Sequence, residues 1–130
     1  MQIEIFTCCE RTEKRGHSLD IIGATRFLSS SPSTQTLEPF SVVLRAIFQP
    51  GEGGGHVFGL QMKDADGLIL FSQPKALEVQ PFPPEESDLV VLGTFFVDDC
   101  RFFAFGDHFL TLLVDEVEHL TTRVFVPRSG

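Results

Sequence analysis

FSVVLRAIFQPGEGGGHVFGLQMKDADGLILF, residues 40–71, is the stretch that decides the fold. Phe40, Val42, Leu44, Ala46 and Phe48 fall on one face and Ser41, Arg45 and Gln49 on the other, the period of two of a half-buried strand. Pro50 to Gly55 then supplies residues that reach positive φ at little cost, so the chain turns there. Phe58, Leu60 and Met62 alternate with Gly59, Gln61 and Lys63, and the DADG of Asp64–Gly67 joins them to Leu68–Phe71 as a hairpin.

The same period extends outward in both directions. Near the start, Ile3 and Ile5 oppose Gln2 and Glu4, and a charged loop is expected from Glu10 to His17. Leu19, Ile21, Thr25 and Phe27 alternate again, with Gly23 marking a bulge or a close backbone approach, and this strand ends before SSSPSTQ. Residues 74–84 carry four of the eight prolines, so Ala76–Phe82 is expected as an edge strand or an extended connection. His108, Leu110, Leu112 and Val114 share a face, and Leu120–Val126 forms the last strand. No segment of helical length has a 3.6-residue period. Eight or nine short strands without amphipathic helices predict an all-β, antiparallel β-sandwich, one domain over residues 1–130.

Composition agrees with strands and narrows the partners. Fourteen Phe with no Trp or Tyr is skewed toward a residue favoured on pleated surfaces. A chain of 130 residues can remove somewhat under about 70% of its unfolded surface from water without disulfide or metal staples. The formal charge of −8 opposes attraction to phosphate backbones, so nucleic acid is not an expected partner. No apolar run approaches the roughly 18 residues of a membrane span and the first ten residues lack a signal-peptide pattern. With three cysteines, two of them adjacent, this reads as a cytoplasmic chain rather than a disulfide framework.

MQIEIFTCCE at the start, LDIIGATRF in the second strand and FGDHFLTLLVDEVEHLTTRVFV at the end carry a resemblance. Together they resemble a family of small uncharacterised bacterial β-sandwich proteins with an I-E-x-F-x-x-C-[DE] opening, a returning I-x-G-x-x strand and a closing G-x-Y strand. The G-x-Y pattern is similar to that of immunoglobulin-like sandwiches, where the Tyr hydrogen-bonds to upstream backbone. An immunoglobulin-like or jelly-roll-like arrangement is what the resemblance implies. Gly106, Asp107 and His108 occupy the pattern, so His108 stands in place of the Tyr, and an imidazole N–H can donate a similar bond. Gly106 and His108 are therefore expected to form a structural corner. The motifs imply a fold and no chemistry.

Several groups invite a chemical reading. Asp64, Asp66, Asp98, Asp99, Asp115, Glu116 and Glu118 are oxygen ligands of the kind Ca²⁺ takes, although Asp and Gly also populate hairpin turns for backbone reasons. Cys8, Cys9, Cys100, His17, His56, His108 and His119 are possible zinc ligands, without the spacing such sites commonly use. Cys100, His108 and Asp99 could in principle form a nucleophile, base and orienting carboxylate, but no family motif surrounds them. GEGGGH at residues 51–56 lacks the lysine of a phosphate-cradling loop and precedes no helix, and SSSPST at residues 29–34 reads as a solvated connection. No cofactor or metal is expected.

The aromatic residues point to a surface. Phe95–Phe96 and Phe102–Phe103 are consecutive, so alternation must turn one of each pair away from the core. LVVLGTFFV, residues 89–97, is apolar on both faces, with Val90, Leu92, Thr94 and Phe96 opposite Leu89, Val91, Gly93, Phe95 and Val97. With no amphipathic helix to cover the second face, a homodimer burying Val90, Leu92 and Phe96 is expected, or an unidentified protein partner in the same place. The sequence thus points to a non-catalytic binding or assembly module. The alternative is a small enzyme or a calcium- or zinc-dependent binding protein using the acidic loops or the Cys100 and His108 neighbourhood.

Overall fold

In a computed structural model, residues 1–16, 18–31, 33–79 and 89–128 are described. Numbered along the chain, the strands are β1 (Gln2–Cys9), β2 (Arg11–Arg15), β3 (Ser18–Ile22), β4 (Ser30–Ser31), β5 (Thr36–Leu37) and β6 (Phe40–Phe48). β7 (Gly54–Asp64), β8 (Ile69–Val79), β9 (Leu89–Val97), β10 (Gly106–Val114) and β11 (Val117–Val126) follow. β1, β6 and β9 form one antiparallel sheet in that order, and β11, β10, β7 and β8 form the other. Among the described residues no helix is long and apolar enough to cross a membrane.

The two sheets make a β-sandwich because each presents one continuous apolar face. Val42, Leu44, Ala46 and Phe48 of β6 meet Phe58, Leu60 and Met62 of β7 and Leu110 and Leu112 of β10 in one buried cluster. Each such aliphatic or aromatic side chain contributes about 1.5–3 kcal/mol when taken fully out of water. Phe48 and Phe58 meet edge to face across the sandwich, with ring centroids 6.3 Å apart.

Turn chemistry sets the registers. In the β7–β8 turn the Asp64 carboxylate accepts the N–H groups of Asp66 and Leu68, each at 3.0 Å, and Gly67 takes a positive φ of 86°. Asp64 is buried because it organises this turn. Between β10 and β11, Asp115 and Glu116 both have positive φ, 51° and 70°, the requirement of the two-residue turn that matches strand twist. β8 keeps its pairing through Pro74, which lies opposite Gly59, and a proline is tolerated there because β8 is the outer strand of its sheet. The edge strand expected from Ala76 is therefore the last four residues, 76–79, of a longer one, and Phe82 lies outside the described residues.

Two expectations are corrected. The charged stretch expected as a loop from Glu10 to His17 contains β2, which pairs with β3 from Arg11↔Ile22 to Arg15↔Ser18. Backbone pairing does not require apolar side chains when the ribbon is solvated, and Arg15 and Asp20 form an ion pair across it at 2.8 Å. The serine-rich connection also contains β4, which pairs with β5 just beyond it. Contacts from β2 reach β6, whose Val43 is fully buried although it faces away from the core. The hairpin is thus a partial third layer over the outer face of the three-stranded sheet.

Gly23 closes that hairpin against Glu10. Its φ is +70°, and a Cβ there would come within 2.7 Å of the Glu10 Cγ. Glu10 donates its N–H to the carbonyls of Ile22 and Gly23 at 3.0 and 3.2 Å, which fixes the approach. Gly23→Ala is expected to cost about 1–2 kcal/mol in urea unfolding, mostly from the left-handed backbone, because the exposed Glu10 side chain can swing aside. A variant within about 0.3 kcal/mol of wild type would remove strain as the reason for this glycine.

Candidate functional site

β9 is the outer strand of its sheet, and its two faces differ sharply in its second half, whereas at its start Leu89 is exposed as well as Val90. Phe95 is 1% exposed and Val97 4%, whereas Val90, Leu92 and Phe96 on the opposite face are 43%, 45% and 58% exposed. Their cross-strand neighbours on β6 are Ile47, Arg45 and Ser41, and Arg45 is engaged with Glu4 at 2.7 Å. The β2–β3 hairpin borders this strip at Leu92. Lys14, Ser18 and Leu19 line a groove of about 560 Å³ with Leu92 and Thr94.

β8 and β9 are outer strands of different sheets and lie side by side. Lys75 of β8 donates from Nζ to the Thr94 carbonyl at 2.9 Å and sits 6.0 Å from the centre of the Phe95 ring. A lysine on a free edge discourages uncontrolled strand pairing at that point. Beyond it the edges border a groove of about 770 Å³, lined by Leu68, Ile69 and Phe71 on one side and Phe96, Cys100 and Phe103 on the other. Phe103 is 64% exposed, while its neighbour Phe102 is buried and packs against Phe105 at 5.3 Å. Both consecutive phenylalanine pairs therefore split between core and surface, and both surface members border this groove.

The other candidate residues are placed apart from it. His108 is fully buried on the inward face of β10, opposite Asp64 of β7. Its Nδ1 lies 3.0 Å from the Gly106 carbonyl, which only accepts, so Nδ1 donates, and its Nε2 has no partner among the described residues. Gly106 itself has φ +97°, which lets β10 begin with its carbonyl within reach of the ring.

Cys100 Sγ donates to the Arg101 carbonyl at 3.6 Å, and among the described residues no hydrogen bond joins it to His108 or Asp99. Burial, reinforced by the Asp99 carboxylate, pushes the Cys100 thiol up to about 11, and burial with Cys9 beside it pushes Cys8 up to about 12. Both are held as thiols at neutral pH, the opposite of what a nucleophilic cysteine needs.

The acidic turns do not converge. Asp115 holds the Val57 N–H at one end of β7 while Asp64 closes the other, about 23 Å away at ~3.3 Å per residue. Asp98 lines the β8–β9 groove and spends its Oδ1 on the Asp99 N–H at 2.9 Å. Among the described residues no group of three or more His, Cys, Asp or Glu side chains is placed to hold one ion, and His17 lies outside them.

One pairing had no signal in the sequence. The β7–β10 register and the β10–β11 turn bring His56 to Asp115, Nδ1 to Oδ2 at 3.0 Å, across 59 positions of chain. Neither residue stands in a motif, so only the register reveals it.

No curated protein matches the chain. Residues 4–126, nearly all of the β-sandwich just described, match the sequence model of a family of unknown function, DUF6941, and the chain belongs to that family.

Proposed function

We propose that this domain is a non-catalytic binding and assembly module that works as a homodimer through the outer face of β9. The observation that carries this reading is the strip of Val90, Leu92 and Phe96, three large apolar side chains left exposed on an outer strand. Contiguous exposed apolar surface marks contact sites in soluble proteins, and a two-fold axis through such a strip would cover both copies at once. Raised cysteine pKa values and the separated acidic turns give catalysis and metal binding less support than assembly.

Light scattering tests it. The wild type is expected at twice the 14.5 kDa mass of the chain at micromolar concentration. Phe96→Asp should weaken the dimer about 30-fold or more, equivalent to about 2 kcal/mol, because a carboxylate would lose its water in a dry interface. A wild type of monomer mass sinks the homodimer.

The groove beside the strip favours a second reading. Among the described residues β8 and β9 each pair on one side only, and an extended segment of another protein could add to such an edge with Phe96 and Phe103 beside it. Under that reading Phe103→Asp abolishes capture of the partner and leaves the mass of the free chain unchanged.

A further inference from the structure

The end of β7 remote from Asp64 is held by a histidine placed between two acceptors. His56 packs its ring against the buried Phe48, with centroids 5.2 Å apart. Its Nδ1 lies 3.0 Å from Asp115 Oδ2, and its Nε2 lies 2.9 Å from the Glu52 carbonyl oxygen. Neither an ionised carboxylate nor a carbonyl oxygen can donate. A neutral imidazole has one N–H, so it can serve only one of these partners and turns a bare lone pair toward the other. The imidazolium alone donates to both.

We infer that His56 is a proton-dependent clamp, whose charged ring donates to both the β10–β11 turn and the β6–β7 loop and whose deprotonation removes one of these two bonds. The groups facing it support the charged form. Asp115 comes from the β10–β11 turn, with Glu116 next to it and His119 of β11 acting on the Asp115 carboxylate. From the β6–β7 loop, Glu52 presents its carbonyl to the ring, while its carboxylate takes the Gln49 N–H at 2.7 Å and the Met1 amine at the start of β1. Glu78 of β8 lies beside Gly55, the residue before His56.

The hydrogen bond to Glu52 and then that to Asp115 hold His56 above its ordinary 6.5. The bond from the Val57 N–H and then that from His56 hold Asp115 below its ordinary 3.8. The contribution of His56 is therefore full below 6.5 and lost as pH rises through its raised folded value. The contribution of Asp115 is present above 3.8 and lost as pH falls through its depressed value. The clamp is complete from about pH 4 to about 6.5 and loosens on the alkaline side.

Imidazole NMR titration of the full chain tests this. His56 is expected to titrate above 6.5, with both ring nitrogens protonated at lower pH. Asp115→Asn keeps a residue that accepts the left-handed φ of 51° and should fold normally. It should lower the ratio of charged to neutral His56 at fixed pH by about two- to fivefold, the size of an exposed charge pair. In the wild type, Val57 amide protection should fall by a similar factor between about pH 6 and about pH 9, beyond the ordinary pH dependence of exchange. A His56 midpoint at or below 6.5, or one unmoved by Asp115→Asn, overturns the clamp.

Discussion

Phe48→Ala is expected to destabilise the domain by about 3–5 kcal/mol, the cost of losing an aromatic ring from a core that cannot collapse onto the space. Phe48 is fully buried at the end of β6, where its ring meets Phe58 edge to face and carries the His56 ring on its other contact. Both β6 and the first half of β7 therefore lose packing at once. Domains of this size are stable by about 5–15 kcal/mol, so the variant would keep only part of that margin, and its melting temperature should fall by roughly 10–20 °C. Phe48→Leu, which refills most of the volume, should cost about 1–2 kcal/mol. Urea unfolding of both variants checks the order. A Phe48→Ala cost under about 1 kcal/mol would mean that this end of the sandwich is not a packed core.

The second large effect is expected at His108. His108→Ala removes a fully enclosed ring and leaves the Gly106 carbonyl without its donor, at about 2–4 kcal/mol. His108→Leu also loses that bond, but it fills the space and removes the partnerless Nε2, so it should cost only about 1 kcal/mol. Melting temperatures should therefore rank wild type, leucine, alanine. If leucine is as damaging as alanine, the bond to Gly106 rather than the volume of the ring holds the start of β10. That outcome would favour a corner of the kind that the G-x-Y resemblance implies.

What was legible in the sequence was most of what depends on a strand's own period, although the alternation from Leu19 to Phe27 overran β3, which ends at Ile22 and leaves Phe27 exposed. Alternation assigned Phe40, Val42, Leu44, Ala46 and Phe48 to one buried face, and it separated Phe95 from Phe96. DADG and the acidic pair after Val114 were readable as turns because left-handed or tightly bonded backbone demands those residue types. β2 was not legible, because a solvated ribbon pairs through backbone groups that leave no hydrophobic pattern in Arg11–Arg15. Nor could composition alone tell that Val43 is covered while Leu92 is exposed. Both are outward-facing apolar residues in strands of one sheet, but Val43 lies on the central strand β6 between Thr7 and Thr94, whereas Leu92 lies on the outer strand β9.

The candidate surface divides along the same line. The sequence by itself determined that Val90, Leu92 and Phe96 share a face, since side chains at alternate positions of any strand point the same way. Tertiary structure decided that β9 lies at an edge, that β8 faces it across a groove, and that His56 meets Asp115. Those facts depend on register and on which strands bury one another. Such contacts are long-range, and their geometry is set by the whole core closing at once rather than by any one strand's pattern.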